Sequence, residues 1–333
     1  MRLTWVGVRV PALRITLAVL SAALASGCQG PGSSASAANS VTVAVVPGID
    51  SAPLSVAARD GIFQQHGLHV TVRDYQSLSA EIQALTSGKA QVAVGDYTGF
   101  LYEQDVRAAS LRLIADGYDA TSNSVAILAL PSAKITAPQQ LEGLSGGVAT
   151  PPAQVIPFSQ TAPYNFETLA AQEVLQNDGV SPSSVTWRQM PPDQMIGALR
   201  SGAVQAILAT EPYILEAEEQ LGAVEVADAS TGVTSDLPMS GYFSLASYAQ
   251  ANPSAVTAFQ SALNQAQSDS AQRGTVQAVL PQLTGMTAGD AGLITLGTYP
   301  ASLDVGQVQR VATLMYDSGM ITNPLAISAL SSG

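Results

Sequence analysis

The feature that most constrains the fold of this chain is an alternation of short β-rich runs with amphipathic helical segments. It begins at residue 41 and restarts after residue 131. The strand-like runs lie at residues 41–46, 68–75, 91–95, 111–115, 147–150, 185–189, 204–210 and 224–227. Helices are expected at residues 53–63, 98–107, 166–177, 253–273 and 305–320, and in a segment that Ser79 would cap. Strands and helices that alternate at this spacing form parallel βαβ units, so the sequence predicts an α/β protein.

A short internal similarity indicates that the α/β pattern occurs twice. Residues 85–92 (LTSGKAQV) match residues 199–206 (LRSGAVQA), and each copy reads as a helix end, a Ser-Gly cap and a strand. Each copy leads into an acid and a tyrosine, namely Asp96 and Tyr97 in the first and Glu211 and Tyr213 in the second. The alternative is chance similarity in a chain rich in Ala and Gly. The structural interpretation predicts two α/β lobes of similar build.

The N-terminus has the features of an export signal. Arg2, Arg9 and Arg14 precede an uncharged apolar run at residues 15–25, which is shorter than the roughly 20 residues that span a membrane. The run leads to Cys28 through small residues, in a pattern that resembles the lipobox of bacterial lipoproteins. We therefore expect a signal peptide at residues 1–27, lipid attachment at Cys28 and a flexible tether at residues 28–40. The alternative is cleavage near residue 25, which would give a secreted protein without an anchor.

Cysteine content and charge narrow the function further. Cys28 is the single cysteine, so neither an internal disulfide nor a cysteine-based metal cluster is expected. Without the three arginines of the signal, 10 basic residues oppose 25 acidic ones, a net charge of −15. Such a surface disfavours binding to nucleic acid or to anionic lipid. No cofactor is expected, and His66 and His69 lack nearby carboxylates in a metal-ligand pattern, so no metal is expected either.

Five segments in order resemble the sulfonate, nitrate and thiamine-precursor family of ABC-transporter substrate-binding proteins. They lie at residues 59–70, 85–96, 140–149, 199–213 and 252–259. The similarity spans residues 41 to about 266, and it departs from the family pattern at Gln91 and Gln205, where Asp is frequent. The resemblance does not identify a ligand.

The resemblance implies a type II periplasmic-binding-protein fold, in which two lobes joined by two crossover strands enclose a ligand cleft. Lobe 1 would comprise residues 41–126 and 241–333, and lobe 2 residues 131–235. The extended runs at residues 124–130 and 236–245 would be the crossovers. The family also implies closure about a hinge, and the permease and ATPase of an importer as partners. The protein is expected to be a monomer, and the lipid at Cys28 would hold it at the outer face of the cell membrane.

Ligands of open α/β sheets bind beyond the carboxyl ends of the strands, and this rule selects the candidate residues. They are Asp50, Ser51, Asp96, Tyr97, Thr98, Asn123, Thr150, Tyr164, Glu211, Tyr213 and Tyr242. The tyrosines could stack on a ring or surround an ammonium group, although each could equally be ordinary packing. Asp96 or Glu211 could instead be a structural cap or a hinge contact.

The charge of these loops bears on the ligand. Helix N-termini near residues 53, 98 and 165 would offer backbone N–H groups that suit anions. However, the candidate loops contain three acids and no Lys or Arg, which favours a neutral, cationic or zwitterionic organic ligand, such as an aminosulfonate or a nitrogen heterocycle of the thiamine-precursor type. An enzyme on the same scaffold, similar to thiamine-pyrimidine synthases, and a ligand sensor are the alternatives to a binding protein that serves import.

Overall fold

The computed structural model describes residues 39–142, 145–147, 165–188 and 190–331. The predicted signal peptide, Cys28 and nearly all of the tether lie outside these residues. Two of the candidate binding residues, Thr150 and Tyr164, also lie outside them. Among the residues that are described, no helix is both long enough and apolar enough to cross a membrane.

The first sheet has the strand order β2-β1-β3-β10-β4. Its strands are β1 (Ser40–Val45), β2 (His69–Asp74), β3 (Val92–Asp96), β4 (Leu111–Asp119) and β10 (Pro238–Leu245). β1 pairs in parallel with β2 and with β3, whereas β10 runs antiparallel between β3 and β4. The carboxyl ends of β1, β3 and β4 therefore lie at the same edge as the start of β10.

The second sheet repeats this topology with the order β7-β6-β8-β5-β9. Its strands are β5 (Val125–Ala129), β6 (Ser145–Gly147), β7 (Thr186–Arg188), β8 (Ala206–Thr210) and β9 (Val224–Asp228). β6 pairs in parallel with β7 and β8, and β5 runs antiparallel between β8 and β9. β3 and β8 thus occupy the same place in their sheets, as do β10 and β5.

Helices cover both faces of each sheet. The longer ones are α1 (Ala52–Arg59), α3 (Leu78–Thr86), α4 (Tyr97–Asp105), α5 (Phe166–Asn177), α6 (Pro192–Ser201), α7 (Tyr213–Leu221), α9 (Pro253–Ser270) and α13 (Val305–Asp317). The shorter ones are α2 (Ile62–Gln65), α8 (Ala246–Ala251), α10 (Arg273–Gln277), α11 (Leu280–Thr284), α12 (Asp290–Leu293) and α14 (Ile327–Ser331). Strand alternation divides the first sheet between α1, α2 and α9 on one face and α3, α4 and α13 on the other. In the second sheet, α6 and α7 pack on one face and α5 on the other.

The internal sequence similarity corresponds to equivalent elements of the two sheets. The first copy ends α3 and begins β3, and the second ends α6 and begins β8. Gly88 and Gly202 each follow the helix with a positive φ, 73° and 72° respectively. Glycine adopts this left-handed conformation without the penalty that a Cβ imposes, so it ends both helices in the same way.

The predicted crossovers require a correction. The extended runs at residues 124–130 and 236–245 mostly form β5 and β10, each of which lies within a sheet. The chain instead passes between the sheets through the short segments 120–124 and 229–237. Both predicted runs are apolar because they are central strands with helices on both faces, and hydrophobicity does not distinguish such a strand from a crossover. The predicted lobe boundaries stay a prediction.

Two helix boundaries also differ from expectation. The predicted helix at residues 53–63 is divided into α1 and α2 at Gly61, which has a φ of 69°. Ser77, and not Ser79, caps α3, because its side chain accepts a hydrogen bond from the backbone N–H of Ala80.

Candidate functional site

A cavity of about 420 Å³ lies where strand ends of the two sheets face each other. Among the described residues, its walls come from the turn after β1, the ends of β3, β4 and β8, the start of β10, and the N-terminus of α5. The cavity therefore lies where the strand topology predicts ligand binding in open α/β sheets.

The first sheet contributes acidic and hydroxyl side chains to the cavity. Asp50 lies in the turn that follows β1, and Asp96 is the last residue of β3. Tyr118, near the end of β4, and Ser240, at the start of β10, complete this wall. Pro47 and Gly48 lie between the end of β1 and Asp50, and they line the cavity with it.

Glu81 reaches the same wall from α3 and is completely buried. It lies on the apolar face of the helix, on which Leu78, Ile82 and Leu85 are also buried. No described residue makes a well-formed hydrogen bond to either carboxyl oxygen of Glu81, although the backbone groups of Val46 and Val94 lie near it. A buried carboxyl group without a hydrogen bond is costly, so it marks a place where the fold alone does not satisfy a polar group.

The second sheet contributes the N-terminus of α5 and the end of β8. Asn165, Phe166 and Glu167 line the cavity from α5, and Glu211 and Tyr213 line it beyond β8. Asn165 caps α5, because its Oδ1 accepts a hydrogen bond of 2.9 Å from the backbone N–H of Thr168. The Nδ2 of Asn165 is buried and has no hydrogen-bond partner among the described residues.

Asp96 connects elements of the two sheets. Its Oδ1 accepts hydrogen bonds from the backbone N–H of Thr98 at 2.7 Å and from the Thr98 hydroxyl at 2.8 Å, which caps α4. Its Oδ2 accepts a 2.9 Å hydrogen bond from the backbone N–H of Phe166, at the start of α5. One carboxylate therefore accepts from the N-termini of two helices.

Glu211 makes an equivalent connection from the second sheet. Its Oε2 accepts from the backbone N–H of Leu215 at 3.1 Å, in the first turn of α7. Its Oε1 accepts from the backbone N–H of Thr295 at 2.8 Å. The segment of Thr295 belongs with the first sheet, because Thr298, a few positions further along the chain, pairs with Asp119 of β4.

The cavity is strongly acidic. Burial, followed by the negative charge of Asp96, raises the pKa of Asp50 to about 6, and burial likewise raises the pKa of Asp96 to about 6. Burial and the charge of Asp96 raise the pKa of Glu167 to about 8. Burial and the charge of Asp50 raise the pKa of Glu81 well above its usual range, and the nearby backbone groups of Val46 and Val94 oppose this only in part. The described residues of the cavity wall include no Lys, Arg or His that could offset these charges.

The structure brings together four of the residues that the sequence selected. Asp50, Asp96, Glu211 and Tyr213 all line the cavity. Their role in binding a ligand stays a prediction. Both oxygens of Asp96 and of Glu211 already accept backbone hydrogen bonds, which agrees with the structural alternative that the sequence left open.

Five other predicted site residues lie outside the cavity wall that the structure describes, and a role for them in binding stays a prediction. Tyr97 is fully buried in the core, where its hydroxyl donates to Asp116. Tyr242, on β10, is fully buried beside Phe259 of α9. Ser51 is buried and its hydroxyl donates to the carbonyl of Gly48, so it holds the turn that carries Asp50.

The remaining two of these residues, Thr98 and Asn123, also act outside the cavity wall. Thr98 is buried and supports Asp96 as described above. Asn123 is exposed, and its backbone N–H donates to the carboxylate of Asp228 at 2.9 Å. Asn123 lies in the segment between the sheets, next to Ser124, which does line the cavity.

Sequence reasoning missed Glu81 and Glu167. A signal for Glu81 was present, because a glutamate three residues after Leu78 and four before Leu85 lies on the apolar face of a helix. No such signal marks Glu167, since an acid in the first turn of a helix is ordinarily explained by the helix dipole. Glu167 reaches the cavity because the N-terminus of α5, which packs on the second sheet, lies beside Asp96 of the first sheet.

No group of three His, Cys, Asp or Glu side chains within the described ranges has an arrangement that could hold a metal ion.

Solved structures show that the chain has the periplasmic binding protein fold. It is similar to the alkanesulfonate-binding protein SsuA from Xanthomonas axonopodis pv. citri bound to MOPS, with 16% identity, 88% of this chain and 98% of that chain covered, and a TM-score of 0.69. It is similar to the periplasmic nitrate-binding protein NrtA from Synechocystis PCC 6803, with 14% identity, 88% and 84% covered, and a TM-score of 0.66. The desulfurization enzyme DszB is also similar, with 15% identity, 88% and 96% covered, and a TM-score of 0.68. The predicted fold class is confirmed.

The family follows from the sequence itself. The model of the NMT1-like family matches residues 34–281, so this chain belongs to the NMT1-like family. This match, together with the similarity to SsuA and NrtA, confirms the expected relationship to the sulfonate and nitrate group of substrate-binding proteins. A comparison with curated proteins found no match.

Proposed function

We propose that this protein is the extracytoplasmic ligand-binding component of an ABC importer. It would capture a small neutral, cationic or zwitterionic organic ligand and deliver it to a membrane permease that is driven by an ATPase. The observation that carries the proposal is the cavity of about 420 Å³, whose walls come from both sheets of a periplasmic binding protein fold. A cavity of this kind could close on a ligand if the lobes move about the segments that connect them.

The nature of the cavity wall supports binding over catalysis. Its described residues include no Cys and no His, so they offer neither a thiol nucleophile nor a hydroxyl paired with a histidine base. SsuA and NrtA are named as binding proteins, whereas DszB is named as an enzyme on a similar fold. An enzyme and a sensor remain the alternatives, and uptake measurements separate both from import.

Ligand capture is tested by a thermal-shift screen of the purified mature protein with amines, sulfonates, neutral amides and nitrogen heterocycles. A ligand at 100 times its dissociation constant stabilises the folded protein by about 2.7 kcal/mol, which raises the melting temperature by several degrees. Uptake of the radiolabelled ligand should then fall in cells that lack this gene and return when the gene is restored. Normal uptake in the cells that lack it would contradict a role in import.

The membrane anchor is proposed on the lipobox-like segment that ends at Cys28. We expect Cys28→Ser to move the protein from the membrane fraction to the medium or to the soluble extracytoplasmic fraction. Because this is the single cysteine in the chain, the substitution removes no other thiol. Retention of the Cys28→Ser protein in the membrane fraction would show that the anchor assignment is wrong.

A further inference from the structure

We propose that the cavity binds an organic cation with N–H donors, of the ammonium or amidinium class, and that Glu81 and Asp50 are the side chains that anchor it. This inference rests on the proposed function, because it assigns a ligand class to the same cavity.

The state of Glu81 is the first argument. The side chain is 0% exposed and lines the cavity, and no described residue makes a well-formed hydrogen bond to either of its carboxyl oxygens. The nearby backbone groups of Val46 and Val94 offset the effect of burial only in part. Leaving a buried polar group unsatisfied costs free energy that a correctly placed donor recovers. A carboxylate accepts hydrogen bonds at both oxygens, and a ligand with two N–H donors would satisfy both of them.

The balance of charge around Glu81 is the second argument. Asp50, Asp96 and Glu167 face the cavity with it, and Glu211 lies at the end of β8. The other titratable groups of the described wall are the phenols Tyr118 and Tyr213, which are neutral at physiological pH. A cation would relieve the repulsion among these carboxylates, whereas an anion would add to it.

The helix N-termini provide the third argument. Their free backbone N–H groups can bind an anion even where no basic side chain is present. The backbone N–H groups of Thr98 and Phe166, at the starts of α4 and α5, both donate to Asp96. The protein's own carboxylate therefore takes the position that a ligand anion would need at these two helices.

The apolar part of the wall indicates the rest of the ligand. Tyr118, Phe166, Tyr213 and Met239 line the cavity together with the acids. Aromatic side chains stack on flat rings and attract cations. A cation attached to a flat apolar group would therefore contact both parts of the wall.

The test compares four probes of similar size by calorimetric titration at pH 7.5. Benzamidine and 2-phenylethylamine are cations, benzamide is neutral, and benzoate is an anion. We expect at least one of the cations to bind at least about tenfold more tightly than benzamide, and benzoate to show no binding.

Two variants connect the result to the anchoring residues. Glu81→Gln and Asp50→Asn remove a negative charge with little change of shape, and each should weaken cation binding by at least about tenfold while leaving benzamide binding within about twofold. Glu219→Gln is the matched control, because Glu219 is exposed on α7 and does not line the cavity. Circular dichroism of each variant checks that it folds.

Repeating the titrations from pH 5.5 to 8 should show cation binding that tightens as pH rises, since protons compete for the same carboxylates.

The outcomes separate this inference from the proposed function. Three results would show that the ligand class is wrong while the binding function stands. In the first, benzamide or benzoate binds more tightly than both cations. In the second, Glu81→Gln folds and binds the cations as the unaltered protein does, and in the third, only neutral or anionic members of the thermal-shift screen bind. Binding of Mg²⁺ or Ca²⁺ in place of the organic cations would overturn it as well. If no compound of any charge class binds, the proposed function fails and the inference fails with it.

Discussion

Tyr97 and Tyr213 follow equivalent strands and have different surroundings. Tyr213 lines the cavity, whereas Tyr97 is completely buried under β10 and donates its hydroxyl hydrogen to Asp116. Gly241 of β10 explains the difference. A Cβ at Gly241 would lie 2.5 Å from Cζ and 2.6 Å from Oη of Tyr97, so the absence of a side chain there makes room for the ring.

This close approach gives a prediction for Gly241→Ala. The added methyl group cannot fit without displacing a fully buried ring, so we expect the free energy of unfolding to fall by about 1–3 kcal/mol or more. Urea denaturation followed by circular dichroism measures the change. Gly197→Ala is the matched control, because Gly197 lies in α6 and a Cβ there would have no neighbouring atom within 4 Å. Alanine at this helical position should stabilise the protein by about 0.5–1 kcal/mol. Equal effects of the two substitutions would show that the Tyr97 contact does not limit position 241.

Asp105 and Asp96 lie at the two ends of α4 and hold different parts of the chain. Asp96 accepts from the first residue of α5, as described above. The Asp105 carboxylate accepts from the backbone and side chains of Thr322 and Asn323, at distances of 2.8 to 3.0 Å. Burial opposes ionisation of Asp105, but these hydrogen bonds outweigh it and lower its pKa. One helix therefore fastens a segment at each end through a carboxylate.

The connection between α4 and α5 can be tested with Asp96→Asn. The asparagine keeps one oxygen to accept from Thr98, but its amide group cannot accept from the backbone N–H of Phe166. We expect amide hydrogen exchange at the start of α5 to become about five- to tenfold faster, which corresponds to the loss of about one hydrogen bond.

Asp105→Asn provides the control for this exchange measurement. It replaces an equivalent carboxylate at the other end of α4, so exchange should rise at Thr322 and Asn323 and stay unchanged at the start of α5. If Asp96→Asn leaves α5 exchange unaltered, the Asp96 to Phe166 hydrogen bond does not stabilise the junction.

The secondary structure was predictable wherever periodicity and caps agree. The predicted helix at residues 166–177 matches α5, and the Ser-Gly motifs mark the ends of α3 and α6. The segments through which the chain passes between the sheets were not predictable, because their position depends on strand pairing between residues far apart in sequence. β10 pairs with β3 and β4, more than one hundred residues earlier, and no local pattern encodes that partner choice.

For the molecule as a whole, the sequence predicted the acidity of the cavity but not its extent. Asp50, Asp96 and Glu211 could be found because they lie at the ends of strands or in the turns that follow them. Glu81 and Glu167 lie in helices, and they reach the cavity only through the way in which α3 and α5 pack. The sequence thus indicated three acids at strand ends, and tertiary packing raises the number around one cavity to five.

These carboxyl groups connect folding stability to pH. Raising the pKa of Asp50 from 3.8 to about 6 corresponds to about 3 kcal/mol of preference for the protonated form in the folded state. The pKa values of Asp96, about 6, and Glu167, about 8, are displaced in the same direction. Between pH 4 and 8 the folded protein therefore binds more protons at these groups than the unfolded chain does, and its stability falls as pH rises through this range.

We accordingly expect the unliganded protein to melt at a higher temperature at pH 5 than at pH 8, by at least about 4 °C. Glu81→Gln removes one of the groups whose folded pKa is raised, so it should stabilise the protein at pH 8 and reduce the dependence on pH. Glu219→Gln, at an exposed position, should leave the dependence unchanged. Differential scanning calorimetry across this range, with the buffer matched for ionic strength, measures all three proteins. A melting temperature that rises steadily from pH 5 to pH 8 in the unaltered protein would show that the cavity acids are ionised at little cost, and the desolvation described for Glu81 would then be wrong.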